Sequence, residues 1–189
     1  MPDASRFLTA LGRAIRSLAR PGRREASTRT GRPSTSSADA ATGPRTDAGG
    51  ESPGRSGPTA TVELEPSRIR AVRFSYAPER DGEPDPGEVV WTWVPYEERD
   101  GRGKDRPVVI VAAGERESFL AVQLTSRPQG RDAVELGTGA WDGQGRPSWA
   151  KIDRVFKVHA DGMRREAATL DAARYRRLVE ALAERYGWG

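Results

Sequence analysis

Two stretches decide the fold: Glu88-Val89-Val90-Trp91-Thr92-Trp93-Val94-Pro95 and Pro107-Val108-Val109-Ile110-Val111-Ala112. The first is β-branched and aromatic and stops at a proline, which reads as a strand. The second is an almost unbroken apolar run, the pattern of a strand covered on both faces. Between them Glu97 to Asp105 is polar, carries Gly101 and Gly103, and reads as a loop. Toward the C-terminus, Gly114-Glu115 turns the chain into a strand over Ser118 to Thr125. Short strands follow at Ala133 to Leu136, Ser148 to Ile152 and Arg154 to His159, with a Gly-rich loop at 137–147. The last element changes period. Tyr175, Leu178, Val179, Leu182 and Tyr186 recur at helical spacing, with Thr169 or Asp171 to cap the start and Gly187 to end it. Short strands followed by one amphipathic helix indicate a mostly β fold, a small barrel with a C-terminal helix packed on it.

Toward the N-terminus the signal fades. Acidic turn material spans Pro78 to Gly87, and Val72, Phe74 and Tyr76 alternate as in a short strand over 71–76. Residues 21–66, rich in Ser, Thr, Gly, Pro and Arg, read as a disordered, flexible linker. Over residues 1–20, Phe7, Leu8, Leu11, Ile15 and Leu18 share one helical face while Arg6, Arg13, Arg16 and Arg20 occupy the rest. Such a basic amphipathic helix suits weak contact with an anionic membrane surface or a protein groove; the alternative is a frayed, solvated helix. All five Trp and all four Tyr lie at or after Tyr76. The tail therefore lacks the apolar surface that offsets the entropy of ordering a backbone. The expected organisation is a helix at 1–20, a linker at 21–66 and a folded domain at 67–189 that does not need the tail to fold.

Charge follows the same division. The 189-residue chain has net charge +4, but residues 1–60 contribute +5 and the remainder −1. Global basicity belongs to the tail, so any nucleic-acid site on the folded domain is a local patch. There is no cysteine and one histidine, His159, which excludes disulfides and disfavours zinc sites built from Cys and His. No apolar run reaches the roughly 20 residues that span a bilayer. Arg13 and Arg16 interrupt the N-terminal apolar residues, which disfavours a secretory signal, and a cytoplasmic setting is expected.

Four motifs then occur in order. Pro86-Gly87-Glu88-Val89-Val90-Trp91 resembles the Gly-Asp-Ile-Val-Trp opening of the MazF/PemK toxin family. Lys104-Asp105-Arg106-Pro107-Val108-Val109-Ile110-Val111 is similar to its Gly-x-Arg-Pro-Val-Val-Ile-Val strand. Val122-Gln123-Leu124-Thr125-Ser126 resembles the strand that ends in Thr-Ser. Ala150-Lys151-Ile152-Asp153-Arg154-Val155 falls where that family has an apolar strand followed by an acid. The resemblance covers a motif core at 86–189 and implies an SH3-like barrel, a homodimer and a cognate antitoxin as partner. It also implies cleavage of single-stranded RNA without metal or other cofactor, through attack of the ribose 2′-hydroxyl on phosphorus.

That chemistry needs a base for the 2′-OH, a stabiliser of the charged phosphorane and an acid for the leaving 5′-oxygen. The resemblance gives Arg106 the stabilising role, for which its planar, permanently charged fork is suited. It makes Thr125 and Ser126 positioning hydroxyls and Asp153 a base. Lys151 stands where some members carry Arg, a point charge in place of a fork. The bland alternatives are an Arg106 ion pair with Asp105 or Glu98, a hydroxyl-capped turn at Thr125 and Ser126, and local hydrogen bonding by Asp153. Of Trp91, Trp93, Trp141 and Trp149, weighed as platforms for an unpaired base, Trp141 in the Gly-rich loop is the expected one, whereas Trp91 and Trp93 share a strand face and read as packing. His159 matches no motif. The competing function is a barrel that has lost its chemistry and acts as a nucleic-acid or protein binding module. DNA binding has little support, since no recognition helix is visible.

Overall fold

The structure, a computed structural model, describes residues 51–79, 81–127 and 130–189. The expected helix at 1–20 and most of the 21–66 linker lie outside the described residues. Eight strands and one long helix follow in order: β1 Val62–Leu64, β2 Glu88–Pro95, β3 Gly103–Ala113, β4 Ser118–Thr125, β5 Ala133–Gly137, β6 Ser148–Lys151, β7 Val155–His159, β8 Arg164–Thr169 and α1 Ala172–Tyr186. The mostly β architecture with a C-terminal helix is the one expected. The antiparallel strands run β1-β7-β4-β3-β2-β8, and β6 joins β4 to β5.

Side-chain parity explains why β3 is apolar on both faces. Val109 pairs with Val89 on one side and Val122 on the other, while Val108 pairs with Val90 and Gln123. Val89, Val109, Val111 and Val122 belong to a core shared with Leu178 and Leu182 of α1. Val90, Val108, Ile110, Ala121, Phe156 and Val158 form a second core on the opposite, inner face of the sheet. The helix begins where Asp171 accepts a hydrogen bond from the Arg174 N–H (2.8 Å) and ends at Gly187, whose φ of 69° is the left-handed turn that glycine adopts without cost.

The linker expectation is corrected at its C-terminal end. Residues 62–64 form β1, which pairs with β7. Ahead of it, the Trp93 N–H donates to the Pro53 carbonyl at 3.0 Å, on the stretch of β2 beyond its pairing with β8. The strand ladder stays open, but the 53–64 segment is bonded to β2 at one end and β7 at the other. Thr61 and Thr92, both buried, share a 2.6 Å hydrogen bond, and Thr92 donates to the Gly162 carbonyl at 2.6 Å. Gly54 is buried against them with φ of 77°, and a Cβ there would stand 2.6 Å from that carbonyl. A chain begun at Thr61 would lose the Pro53 and Gly54 contacts. Composition misses this because the closure uses backbone, two hydroxyls and a glycine, none of which carries apolar weight.

Two further expectations change. No strand forms at 71–76. Its alternation is real in the side chains: Val72 is buried, and Phe74 approaches Trp188 at 6.4 Å. The Tyr76 hydroxyl donates to the Leu170 carbonyl, and the Tyr175 hydroxyl to the Ser75 carbonyl. The segment is thus tied to α1 and its lead-in without a ladder partner. Conversely, β8, with the polar sequence Arg-Arg-Glu-Ala-Ala-Thr, gave no strand signal. It is held as an edge strand by pairing with β2 and by Arg165–Glu88 (2.9 Å) and Arg164–Asp105 (2.6 Å) ion pairs.

Candidate active site

Register gathers the candidate residues at one end of the inner sheet face. Arg106 lies on β3 opposite Thr92 of β2. The β3–β4 pairing ends at Val108–Gln123, and Arg106 and Thr125 each lie two residues beyond it, on the same face by strand alternation. Lys151 follows Trp149 by two residues on β6, where it pairs with Ala133 of β5, and so faces the same way as Trp149. Residues directly opposite in an antiparallel pair share a face, so Arg106, Gln123, Thr125, Trp149 and Lys151 all belong to the inner face. The strands that make the second core thus change from apolar to polar within two residues.

Arg106 is half-buried and has no side-chain hydrogen bond or ion pair among the described residues. The pairing with Asp105 or Glu98 weighed from sequence is not formed; Asp105 points to the other face and binds Arg164. Thr125 accepts the Arg127 N–H at 3.1 Å, so its hydroxyl does serve the local turn. That bond uses a lone pair and leaves the hydroxyl hydrogen free to donate. Ser126 follows, exposed and outside the strand.

Lys151 is engaged. Its side chain is 12 % exposed, and its Nζ donates to Glu97 Oε1 at 2.9 Å and lies 3.5 Å from Asp153 Oδ2. The Lys151 hydrogen bond holds the Glu97 carboxyl below its ordinary pKa. Asp153 turns its other oxygen, Oδ1, inward with no hydrogen bond. Next to it Arg154 is buried, donates from Nη2 to Glu63 Oε2 (2.7 Å) and to the Pro95 carbonyl (2.9 Å), and lies 4.9 Å over the Phe156 ring. Arg154 thereby ties β1, the end of β2 and β7 together beside the site.

Trp141 is corrected. It is 4 % exposed, sits in the helix-side core and donates its indole N–H to Ser148 Oγ at 3.1 Å. A ring buried on its faces cannot stack a base. The aromatic at the site is half-buried Trp149, paired opposite Thr125. Its signal was indirect: it precedes Ala150-Lys151 by so little that any register bringing Lys151 to β4 brings Trp149 too. Glu97, in the turn after β2, carried no signal. His159 pairs with Ser118, at the far end of β4, about 23 Å along the strand from Thr125.

With this geometry in hand, comparison with known proteins is informative. Residues 85–185 match the family model described as PemK-like, MazF-like toxin of type II toxin-antitoxin system. Among solved structures, the chain is similar to a MazE–MazF crystal structure from Deinococcus radiodurans, at 20% identity over 55% of this chain and 96% of that one, with a TM-score of 0.43. It is also similar to the Mycobacterium tuberculosis toxin MazF-mt6, at 17% identity over 53% and 98% of the two chains, with a TM-score of 0.40. MazF alone from Deinococcus radiodurans gives 20% identity over 56% and 97%, with a TM-score of 0.43. No curated protein matches the chain.

Proposed function

The chain belongs to the PemK-like, MazF-like toxins of type II toxin-antitoxin systems, and we propose that it is a metal-independent endoribonuclease that cleaves single-stranded RNA by 2′-OH attack. The observation that carries this reading is the Arg106 side chain, without a hydrogen bond or ion pair among the described residues, on the same polar end of the inner sheet face as Thr125. None of the Arg106 nitrogens is both shut from solvent and unpartnered, so the guanidinium stands open to a ligand while its stem packs on the sheet. A phosphate, which accepts two parallel N–H bonds from Arg, is the ligand that fits.

In this reading Arg106 stabilises charge on the phosphorane, while Thr125 and Ser126 donate to the non-bridging oxygens and fix the phosphate. Trp149 offers its exposed part to an unpaired base. The Lys151–Asp153 pair handles protons, with Asp153 accepting from the 2′-OH and Lys151 donating to the leaving oxygen. Glu97 covers Lys151 in the free protein. Its side chain is 65 % exposed, so an incoming phosphate displaces it at little expense. A homodimer and a separately encoded antitoxin that neutralises the toxin in the cytoplasm complete the proposal.

The test is incubation of the full chain with RNA in excess EDTA. Products ending in 2′,3′-cyclic phosphate, and loss of cleavage when a 2′-deoxy nucleotide occupies the cut position, are expected. The neutralisation of Lys151 by two carboxylates favours a second reading, a barrel that binds RNA or protein without cutting. RNA bound but never cut would select it.

A further inference from the structure

The end of β3 that carries Arg106 is paired on one side only. Its ladder with β4 ends at Val108–Gln123, while its ladder with β2 runs on through Thr92–Arg106 and Trp93–Asp105 to Pro95–Gly103. That end reads Gly103-Lys104-Asp105-Arg106-Pro107, is half-buried throughout, and gives way to full apolar burial only at Val108. A polar, Gly-containing ribbon specifies its register weakly, and a slip of one residue would turn Arg106 to the opposite face. Something other than apolar patterning has to hold this end in place.

The holder comes from a third strand. The β2–β8 pairing ends at Trp91–Arg164, whereas Asp105 stands opposite Trp93, farther along β2. The Arg164 side chain spans that offset across β2. Its guanidinium lies 6.0 Å from the Trp91 ring centroid, and its Nη1 donates to Asp105 Oδ2 at 2.6 Å. Asp105 directly precedes Arg106, and alternation sends the two side chains to opposite faces. Fixing Asp105 outward therefore fixes Arg106 inward. On the other side of the guanidinium, Glu166 Oε1 is 3.8 Å from Nη2. The cluster is a poor source of stability, since Asp105 Oδ1 and Arg164 Nη2 are both shut from solvent without a hydrogen bond. Unpaired polar atoms of this kind cost free energy, and exchanging a shielded ion pair for apolar groups is often neutral. What such a pair supplies well is register.

Resting on the ribonuclease reading above, we infer that Arg164 is a positioning residue: through Asp105 it sets the end of β3 so that the Arg106 guanidinium faces the scissile phosphate. The effect passes through the backbone of one strand, and Arg164 itself stays on the face away from the RNA. One N–H···O contact carries the link. Lysine can therefore stand in at position 164, whereas at position 106 the planar fork is needed.

The experiment is a double-variant cycle. Single-turnover cleavage of one RNA is measured per folded molecule for full-length wild type, Arg164→Met, Arg164→Lys, Arg106→Ala and the Arg164→Met/Arg106→Ala pair, with urea midpoints from the same samples. Arg164→Met should slow cleavage by about ten- to a hundred-fold, the scale of misplacing a reacting group by about 1 Å. Arg164→Lys should recover most of that rate. In the Arg106→Ala background the change at 164 should lower the residual rate no further, because the group it positions is gone. If Arg164→Met leaves Asp105 stranded and does not fold, Asp105→Asn/Arg164→Met takes its place in the cycle. An equal loss in both backgrounds, a wild-type rate in Arg164→Met, or a loss that lysine does not relieve overturns the inference and leaves the ribonuclease reading standing. A wild type that cuts no RNA brings down that reading and the inference with it.

Discussion

The two faces of the central strands use the same residues' neighbours for opposite ends. On the outer face, Val89, Val109, Val122 and Leu124 run under α1 and stay apolar to the end of β4. On the inner face, Val90, Val108, Ile110 and Ala121 are equally buried, but the same strands continue into Thr92, Arg106, Gln123 and Thr125. The outer face is closed by a helix and needs no further partner. The inner face is closed by hydroxyls, a glycine and main-chain bonds around Thr92, and ends in a cation that nothing in the described protein satisfies. Parity of two thus lets one sheet carry its stability on one side and its chemistry at the end of the other.

Changes beneath α1 on the outer face should act on stability alone. Leu178→Ala removes a fully buried side chain from the helix-side core and should cost about 2–5 kcal/mol in urea unfolding. RNA cleavage per folded molecule should stay unchanged, since α1 lies across the sheet from Arg106. Reduced cleavage in the folded fraction would break the comparison.

Inner-face closure is the next largest effect. Thr92→Val keeps the shape but leaves the Gly162 carbonyl and the Thr61 hydroxyl without their 2.6 Å partner, and should cost about 1–3 kcal/mol. The same closure gives a pH dependence. The Arg154 hydrogen bond is the main reason that the Glu63 carboxyl titrates below its ordinary value of 4.5. A depressed carboxylate pKa stabilises the fold above the ordinary value, and that contribution disappears as pH falls through the depressed one. Glu63→Gln should therefore lower stability at neutral pH and flatten the acid limb of a melting-temperature profile below about pH 4.5. An unchanged acid limb would detach Glu63 from the closure.

The smallest effect belongs to Glu97. Its ion pair with Lys151 is largely exposed on the Glu97 side, so Glu97→Gln should change stability by less than about 1 kcal/mol. It should nevertheless tighten RNA binding modestly, with the gain fading as salt rises, because a competing carboxylate has been removed. Equal affinity at low salt would show that Glu97 does not cover the site.

Much of the fold was legible because its central strands are written in residues with one good environment. The apolar runs of β2, β3 and β4 and the helical stripe of α1 each match a single period. What was illegible is held by something other than apolar patterning. Val62–Leu64 is too short for a period and is joined through backbone; Arg164–Thr169 is an edge held by ion pairs; residues 71–76 alternate without a ladder. Of the candidate site, Arg106 and the Thr125-Ser126 pair stood out as motif residues. Trp149, Gln123 and Glu97 did not, since their placement follows from cross-strand register and turn geometry that the linear order does not contain. Trp141 misled because a Gly-rich loop suggests exposure, whereas this loop folds its ring under the helix side of the sheet.

The central claim is that Arg106 ends the inner face as a phosphate clamp and not as a structural cation. Cleavage of a single RNA by full-length wild type, Arg106→Ala and Arg106→Lys, with unfolding followed on the same samples, tests it most directly. The account predicts a loss of about a hundred- to a thousand-fold in rate for Arg106→Ala and poor rescue by Lys, which lacks the bidentate fork. Unfolding midpoints should stay close to wild type. Full cleavage by Arg106→Ala, or a large loss of stability accompanying any loss of rate, would contradict it.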